Sequence, residues 1–358
     1  MTERFETTQE IIRAARASVS QPVWNYITGA AETETTMRRN RHALDRIAFR
    51  PRVLRDVSEI DVSGTLLGHS LRIPVLLAPI GSLQTITPDG AIAVARAAAG
   101  FGTLQMVSTV TQPGLEEIAE SVDHPKIFQI YIRGDDCWIR DLVARARDAG
   151  YAALALTVDS AHYGRRERQL LSRWLPPSVR TQTGREWQTR ITWETMAMMK
   201  EHGGLPFILK GIQTAEDAEM AVEHGIDAVY VSNHGGRQLD HGQGAIDILR
   251  EVVAAVDGRA EIVLDSGIAR GTDVLKAVAL GADAVAIGRL QAWALAVGGT
   301  ATLIRALEIL EAEMHNAMGL VGVTALDQLD PGYVTEAPAV TEATELGAFP
   351  LLGEEIRL

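Results

Sequence analysis

A chain of 358 residues, 46% apolar and 22% charged, is long enough to bury a sizeable core and has the composition of a soluble globular protein. Its net charge of −12 and the lack of a basic stripe argue against nucleic acid as a partner. The single cysteine, Cys137, excludes an internal disulfide and fits a reducing compartment; no apolar run reaches the length of a membrane span, and no Cys or His spacing resembles a metal site.

Met1-Thr2-Glu3-Arg4 carries no apolar signal core, so a cytoplasmic location is expected. Thr7 to Ser18 and Thr35 to Leu44 have the periodicity of amphipathic helices, in a segment (1–73) that should pack on the remainder of the chain. Eight candidate strands come next: Val75–Ile80, Thr103–Ser108, Ile127–Ile132, Ala153–Asp159, Pro206–Gly211, Ala228–Asn233, Glu261–Gly267 and Ala284–Arg289. Helical patterns lie between them, among them Pro88 to Ala99, Thr214 to Glu223 and Asp273 to Leu280. Thr214 is placed to cap its helix, with Glu216 and Asp217 adding negative charge to the first turn. The segments Ala149–Asp159, His224–Ser232 and Leu280–Gly288 look alike. Each reads as a helix closing at Gly, a short link and a continuously apolar strand. Gly suits the left-handed position that ends a helix, and such strands are buried on both faces.

Eight βα units predict an α/β fold in one domain over 1–358, a (β/α)8 TIM barrel at 74–320 with an N-terminal extension and a tail at 321–358. Residues 168–191, with Trp174, Pro176, Pro177, Gly184 and Trp187, read as an irregular insertion placed to act as a lid. From Asp330 the chain is rich in Pro, Glu and Ala and reads as a loosely held tail. Cys137, near a helix start, reads as structural.

Polar residues gather at the strand ends: Ser108, Gln129 with Tyr131, Thr157 with Asp159, Lys210, Ser232 with His234, Asp265 with Gly267, and Gly288 with Arg289. Active sites of this barrel occupy that face. The most telling stretch is Val231–Asp240, where a buried strand delivers His234 and Arg237 into a loop. Imidazole takes a proton at neutral pH, and guanidinium grips a carboxylate through paired hydrogen bonds. A base three residues from such a clamp points to chemistry on the carbon beside a carboxylate; the competing reading is an ordinary surface loop. Asp159 either orients the imidazole or caps a helix. Lys210 either neutralises an anion, such as a reduced flavin ring, or snorkels to water. Asp265–Gly271 and Ile287–Arg289 either form the phosphate site common to barrels or are two Gly-rich turns.

Together these motifs resemble the FMN-dependent 2-hydroxy acid oxidase and dehydrogenase family, which includes glycolate oxidase, lactate oxidase and mandelate dehydrogenase. The resemblance runs from Tyr26-Ile27-Thr28-Gly29-Ala30 to near Met318, with Ser232–Asp240, Leu156-Thr157-Val158-Asp159 and Leu209-Lys210-Gly211 in register. It implies FMN at the barrel mouth, His234 as base and Asp159 behind it. Arg237 and Arg166 would hold the substrate carboxylate, Tyr131 its hydroxyl, and Asn25 would touch substrate. Pro79, Ile80, Gly81, Ser108, Gln129, Thr157, Lys210 and Ser232 would surround the flavin ring. Asp265, Ser266, Gly267, Arg270, Gly288 and Arg289 would hold the ribityl phosphate end. The resemblance further implies a small 2-hydroxy acid substrate, oxygen or another electron acceptor, no metal and a homotetramer.

Four departures from the family pattern stand out. Asn25 replaces a Tyr or Phe, and Val110 replaces the Trp of glycolate oxidases, so a side chain larger than that of glycolate is expected. In the phosphate loop Ser266 replaces a Gly and Ala269 an Arg, so weaker FMN binding is expected. The lid is shorter than usual. The competing functions are a flavin-dependent oxidoreductase or isomerase acting on another substrate class, and a non-catalytic flavin- or phosphate-binding scaffold.

Overall fold

The computed structural model describes residues 5–180 and 183–352. The opening tetrapeptide, positions 181 and 182 of the insertion and the last part of the expected tail lie outside the described residues. Eight parallel strands close into a barrel: β1 (Val75–Leu77), β2 (Gln105–Ser108), β3 (Lys126–Ile130), β4 (Ala153–Thr157), β5 (Phe207–Ile212), β6 (Ala228–Val231), β7 (Glu261–Leu264) and β8 (Ala284–Ile287). Val285 pairs with Val75 to close the ring. All eight expected strands are present, and most stop short of their expected C-terminal ends. Asp159 and Asn233 lie beyond their ladders. The polar residues that signalled strand ends leave the sheet there and enter the loops of the mouth.

The continuous apolar character of the strands follows from their two buried faces. Leu76, Met106, Ile127, Ala155, Ile208 and Tyr230 fill the interior. Val75, Val107, Phe128, Leu154, Leu209 and Val229 face the helices. A hairpin that the sequence reading missed, Gly64–Leu66 with His69–Leu71, adds Leu66 and Leu71 to the interior cluster. Its Leu67 N–H donates to Glu261 at the start of β7, 2.6 Å away, so it closes the bottom of the barrel. That leaves the opposite mouth as the open end.

The expected helices form, at Thr8–Ser18, Thr35–Asp45, Ala91–Phe101, Ala215–Glu223 and Gly271–Ala279. Thr7 and Glu10 make a reciprocal capping box, and the Thr214 hydroxyl accepts from the Asp217 N–H. A helix at Gln21–Thr28 was not expected; Pro22 sits in its first turn, where a missing N–H costs nothing. One helix, Arg289–Val321, is long and apolar enough to cross a membrane by length and composition, contrary to expectation. Its backbone breaks at Gly298 and Gly299, and it packs against Thr8–Ser18 and Ala91–Phe101.

Three further expectations are corrected. The described part of the segment after Asp330 is tied down: Val334–Glu336 pairs with Ile47–Phe49, and Leu346, Phe349 and Leu352 are buried. Its few apolar side chains suffice because they join the main core, as where Phe349 meets Trp293 edge-on at 6.1 Å. The insertion is not irregular but built of short helices, Glu167–Leu171, Pro177–Arg180 and Arg185–Arg190. Cys137 is exposed, so it is no part of a core.

Candidate active site

The register of the barrel sets the polar strand ends side by side. Ser108 lies opposite Gln129, and Thr157 opposite Lys210. Between Lys210 and Ile212 the register with β6 shifts, so Gly211 is an extra, bulged residue. Gly211 has φ +113°, and a Cβ there would lie 2.8 Å from the Asp159 backbone N. Only glycine lets β5 pass this close to the carboxylate that follows β4.

His234 stands on the loop after β6. Its Nδ1 lies 3.0 Å from the Asp159 carboxylate, whose side chain is almost wholly buried. Nδ1–H therefore donates to Asp159, leaving the lone pair on Nε2 facing the mouth. The Tyr131 hydroxyl sits 3.3 Å from Nε2 and can donate to it. Burial lowers the His234 pKa below its ordinary value, outweighing the opposing pull of Asp159. Burial alone would raise Asp159, but the charge and hydrogen bond of His234, then Lys210, bring it below the usual carboxylate range. The resting pair is thus a neutral imidazole backed by a carboxylate, the state a general base requires. Burial and the nearby Asp159 push the Tyr131 phenol up, so it remains a hydroxyl donor.

Two guanidiniums face this base. Arg237 donates to the carbonyls of Tyr26 and Gly29 at 2.8 and 2.6 Å. Arg166 donates to the Arg237 carbonyl at 3.3 Å. Burial and the charge of Arg166 pull the Arg237 pKa down to about 9. Neither arginine has a carboxylate partner within salt-bridge distance among the described residues. An arriving carboxylate relieves both penalties at once.

A cavity of about 410 Å³ joins His234, Tyr131, Arg166 and Arg237 to Pro79, Ile80 and Gly81, and to Lys210, Asp265, Ser266, Gly267, Gly288 and Arg289. Ser108, Gln129, Thr157 and Ser232 are buried behind it. Lys210 Nζ donates to Ser232 Oγ at 2.9 Å and lies 3.4 Å from Asp265. Gln129 donates to Thr157 Oγ1 at 2.8 Å, while its Oε1 is buried with no partner. That orphan acceptor calls for a donor such as a flavin ring N–H. A Cβ on Gly288 would meet nothing, so the phosphate-loop backbone faces open space. These residues fit a flavin mononucleotide.

The residues matched to the family model described as FMN-dependent dehydrogenase are 15–336. The chain belongs to the FMN-dependent dehydrogenase family. The L-lactate oxidase of a Nostoc species is 40% identical over 91% of this chain and 96% of its own length. Glycolate oxidase 5 of Oryza sativa subsp. japonica is 37% identical over 94% and 96%. A crystal structure of mandelate oxidase with 3,3-difluoro-2-hydroxy-3-phenylpropionic acid superposes with a TM-score of 0.87, at 37% identity over 94% of this chain and 100% of that one. FMN is the cofactor, and the protein is an FMN-dependent oxidoreductase of the 2-hydroxy acid oxidase kind.

Two expected site residues lie elsewhere. Asn25 does not line the cavity; it donates to Ser172 Oγ at 2.7 Å and accepts from Gln21, tying its helix to the lid. Arg270 turns outward, 2.6 Å from Glu313 and bonded to the Ala348 carbonyl, because the helix it caps presents it to the long helix beyond. Sequence reading missed Asn40 and Asn233, which bracket the base loop, and Arg133, Tyr163 and Arg185, which line the cavity. Only Asn233, next to His234, carried a signal. The lid expectation fits: Ser178, Val179, Arg185 and Gln188 line the cavity, and Gln188 bonds the Ile132 N–H and the Thr157 carbonyl, both at 2.7 Å.

Proposed function

We propose that this enzyme oxidises a 2-hydroxy carboxylate with a side chain larger than that of glycolate to the 2-oxo acid. The observation that carries the reading is the hydrogen-bonded His234–Asp159 pair facing two arginines that lack carboxylate partners among the described residues, in one cavity with the FMN residues. Arg237 and Arg166 grip the carboxylate and fix the 2-carbon before Nε2. Tyr131 donates to the substrate hydroxyl. His234 accepts the proton at Nε2, and Asp159 stabilises the imidazolium that results. FMN supplies the two-electron sink. Lys210 places a buried cation beside Asp265, where it can balance negative charge arriving on the cofactor side.

The larger side chain is supported by Val110, which lines the cavity where glycolate oxidases carry a Trp. Asn25 no longer supports it, since it faces Ser172. Trp174 packs at a tilt against Tyr26, ring centroids 5.7 Å apart, and is absent from the cavity wall, so it does not refill the space. Purified protein should be yellow and should bleach anaerobically with a 2-hydroxy acid. Flavin reduction compared for glycolate, lactate and mandelate tests the size preference, and a preference for glycolate defeats it. Oxygen uptake by the reduced protein tells oxygen from another acceptor.

A further inference from the structure

The outer part of the cavity carries more positive charge than a monocarboxylate needs. Beyond Arg166 and Arg237 it is lined by Arg133 and Arg185. Neither forms a salt bridge among the described residues. The carboxylate nearest them on the wall, Glu186, is exposed. Arg133 is half-buried, and its Nε is shut off from water with no acceptor. The Tyr163 hydroxyl is buried and unpartnered in the same way. Two guanidiniums lie over the Tyr163 ring, Arg166 at 4.2 Å and Arg185 at 4.5 Å from its centroid. One aromatic ring is therefore shared by the inner carboxylate clamp and the outer cations.

The outer pair is held in place by backbone. A Cβ on Gly184 would lie 2.2 Å from the Arg133 carbonyl, so the turn that carries Arg185 rests directly on the residue beside it. Gln188, in the same turn, is anchored to the ends of β3 and β4. Burial and the charge of Arg185 lower the Arg133 pKa, outweighing the opposing pull of Tyr131 and the exposed Glu186. Orphan donors and crowded like charges are costly unless an anion joins them.

We propose that the substrate carries a second anionic group, distal to its 2-hydroxy carboxylate, bound by Arg133 and Arg185 with the Tyr163 hydroxyl. This rests on the 2-hydroxy acid reading above and narrows it to 2-hydroxy diacids or their phosphorylated counterparts. Anaerobic flavin reduction is measured with L-2-hydroxyglutarate, L-2-hydroxysuccinate and 3-phospho-L-glycerate, all of one configuration at the reacting carbon. The comparator is L-2-hydroxyvalerate, which has the chain length of 2-hydroxyglutarate without the second charge. An anionic chain should raise the specificity constant on the order of ten- to a hundredfold, the worth of charge-assisted hydrogen bonds. Whichever of the carboxylate and phosphate arms is faster identifies the distal group. Arg133→Gln and Arg185→Gln should erase most of that advantage through KM, changing the 2-hydroxyvalerate rate far less. The inference is overturned if wild type reduces with 2-hydroxyvalerate as well as with any anionic partner, or if the variants slow all substrates alike. Flavin that no 2-hydroxy acid reduces overturns the parent reading, and this one with it.

Discussion

Asn40 and Asn233 exchange side-chain hydrogen bonds, each Nδ2 donating to the other's Oδ1, at 2.9 and 2.6 Å. Asn40 belongs to the Thr35–Asp45 helix of the N-terminal extension, and Asn233 immediately precedes the base. Asn233 also donates to the Gln243 carbonyl and accepts from the Gly236 N–H. His234 itself holds φ +59°, a backbone state that a residue with a Cβ rarely keeps unaided. The amide pair locks the loop into that state from outside the barrel.

Replacing Asn233 by Ala should therefore slow flavin reduction by roughly ten- to a hundredfold while FMN stays bound. Removing Asn233 leaves the Asn40 Nδ2 buried without an acceptor, while its Oδ1 keeps the Ala245 N–H, at about 1–3 kcal/mol of stability. A purely structural role predicts lower thermal stability with a normal reduction rate in the folded fraction. Positioning predicts a slower limiting rate at saturating substrate. Stopped-flow on folded, yellow protein separates the two, and an unchanged limiting rate refutes the positioning role.

The pH dependence has a definite sign. His234 works as a base only when unprotonated, and burial sets its pKa below the ordinary 6.5. Reduction should rise with pH, reach half its plateau below 6.5 and be flat at neutral pH. Asp159→Asn removes the charge that favours the imidazolium. The midpoint should move lower still, and the plateau should fall on the order of a hundredfold or more. A midpoint above 6.5 in the wild type contradicts the buried, neutral base.

Arg237→Lys should cost more than a conserved charge implies. One terminal nitrogen is already committed to the Tyr26 and Gly29 carbonyls, which leaves the rest of the fork for the substrate, and an ammonium has only one nitrogen to serve both. Substrate affinity and the limiting reduction rate should fall together, because grip and orientation come from the same fork. An amide of the preferred substrate that reacts as fast as the free acid would remove the basis for the clamp.

Much of this site was legible in the sequence because barrels turn chain order into geometry. A residue at a strand end must reach the mouth, so His234, Asp159, Tyr131 and Lys210 meet although scores of residues separate them. What lay outside the barrel repeat was not legible. Asn40 reaches the base loop by packing of the extension, which no periodicity encodes. Arg133 and Arg185 meet through a short lid whose path the sequence does not specify. The tail beyond Asp330 was misread because composition does not show that Glu345 finds Arg168, 3.0 Å away. At position 266 the departure from glycine looked like a loss. Ser266 instead accepts from the Gly235 N–H at 3.0 Å and donates to Asp265 at 2.6 Å, stitching the phosphate loop to the base loop.

FMN affinity offers the last test, at position 269. Ala269 lines the cavity and brings no charge to the phosphate end. Its neighbour does not compensate, since Arg270 is spent on Glu313 and the Ala348 carbonyl. Arg41 also lines the cavity, but its two terminal nitrogens are held by Asp273, both at 2.9 Å, leaving only a buried Nε without a partner. Arg289 remains, already bonded to the carbonyls of Thr28, Gly29 and Gly235. Ala269→Arg should therefore tighten FMN, by about tenfold if one charge-assisted hydrogen bond forms. Arg270→Ala should leave the flavin in place and act on stability alone, through the partly exposed ion pair with Glu313. Fluorescence titration of apoprotein with FMN measures both. If Ala269→Arg changes nothing while Arg270→Ala releases the flavin, Arg270 reaches the phosphate after all, and the reading of a weakened phosphate site fails.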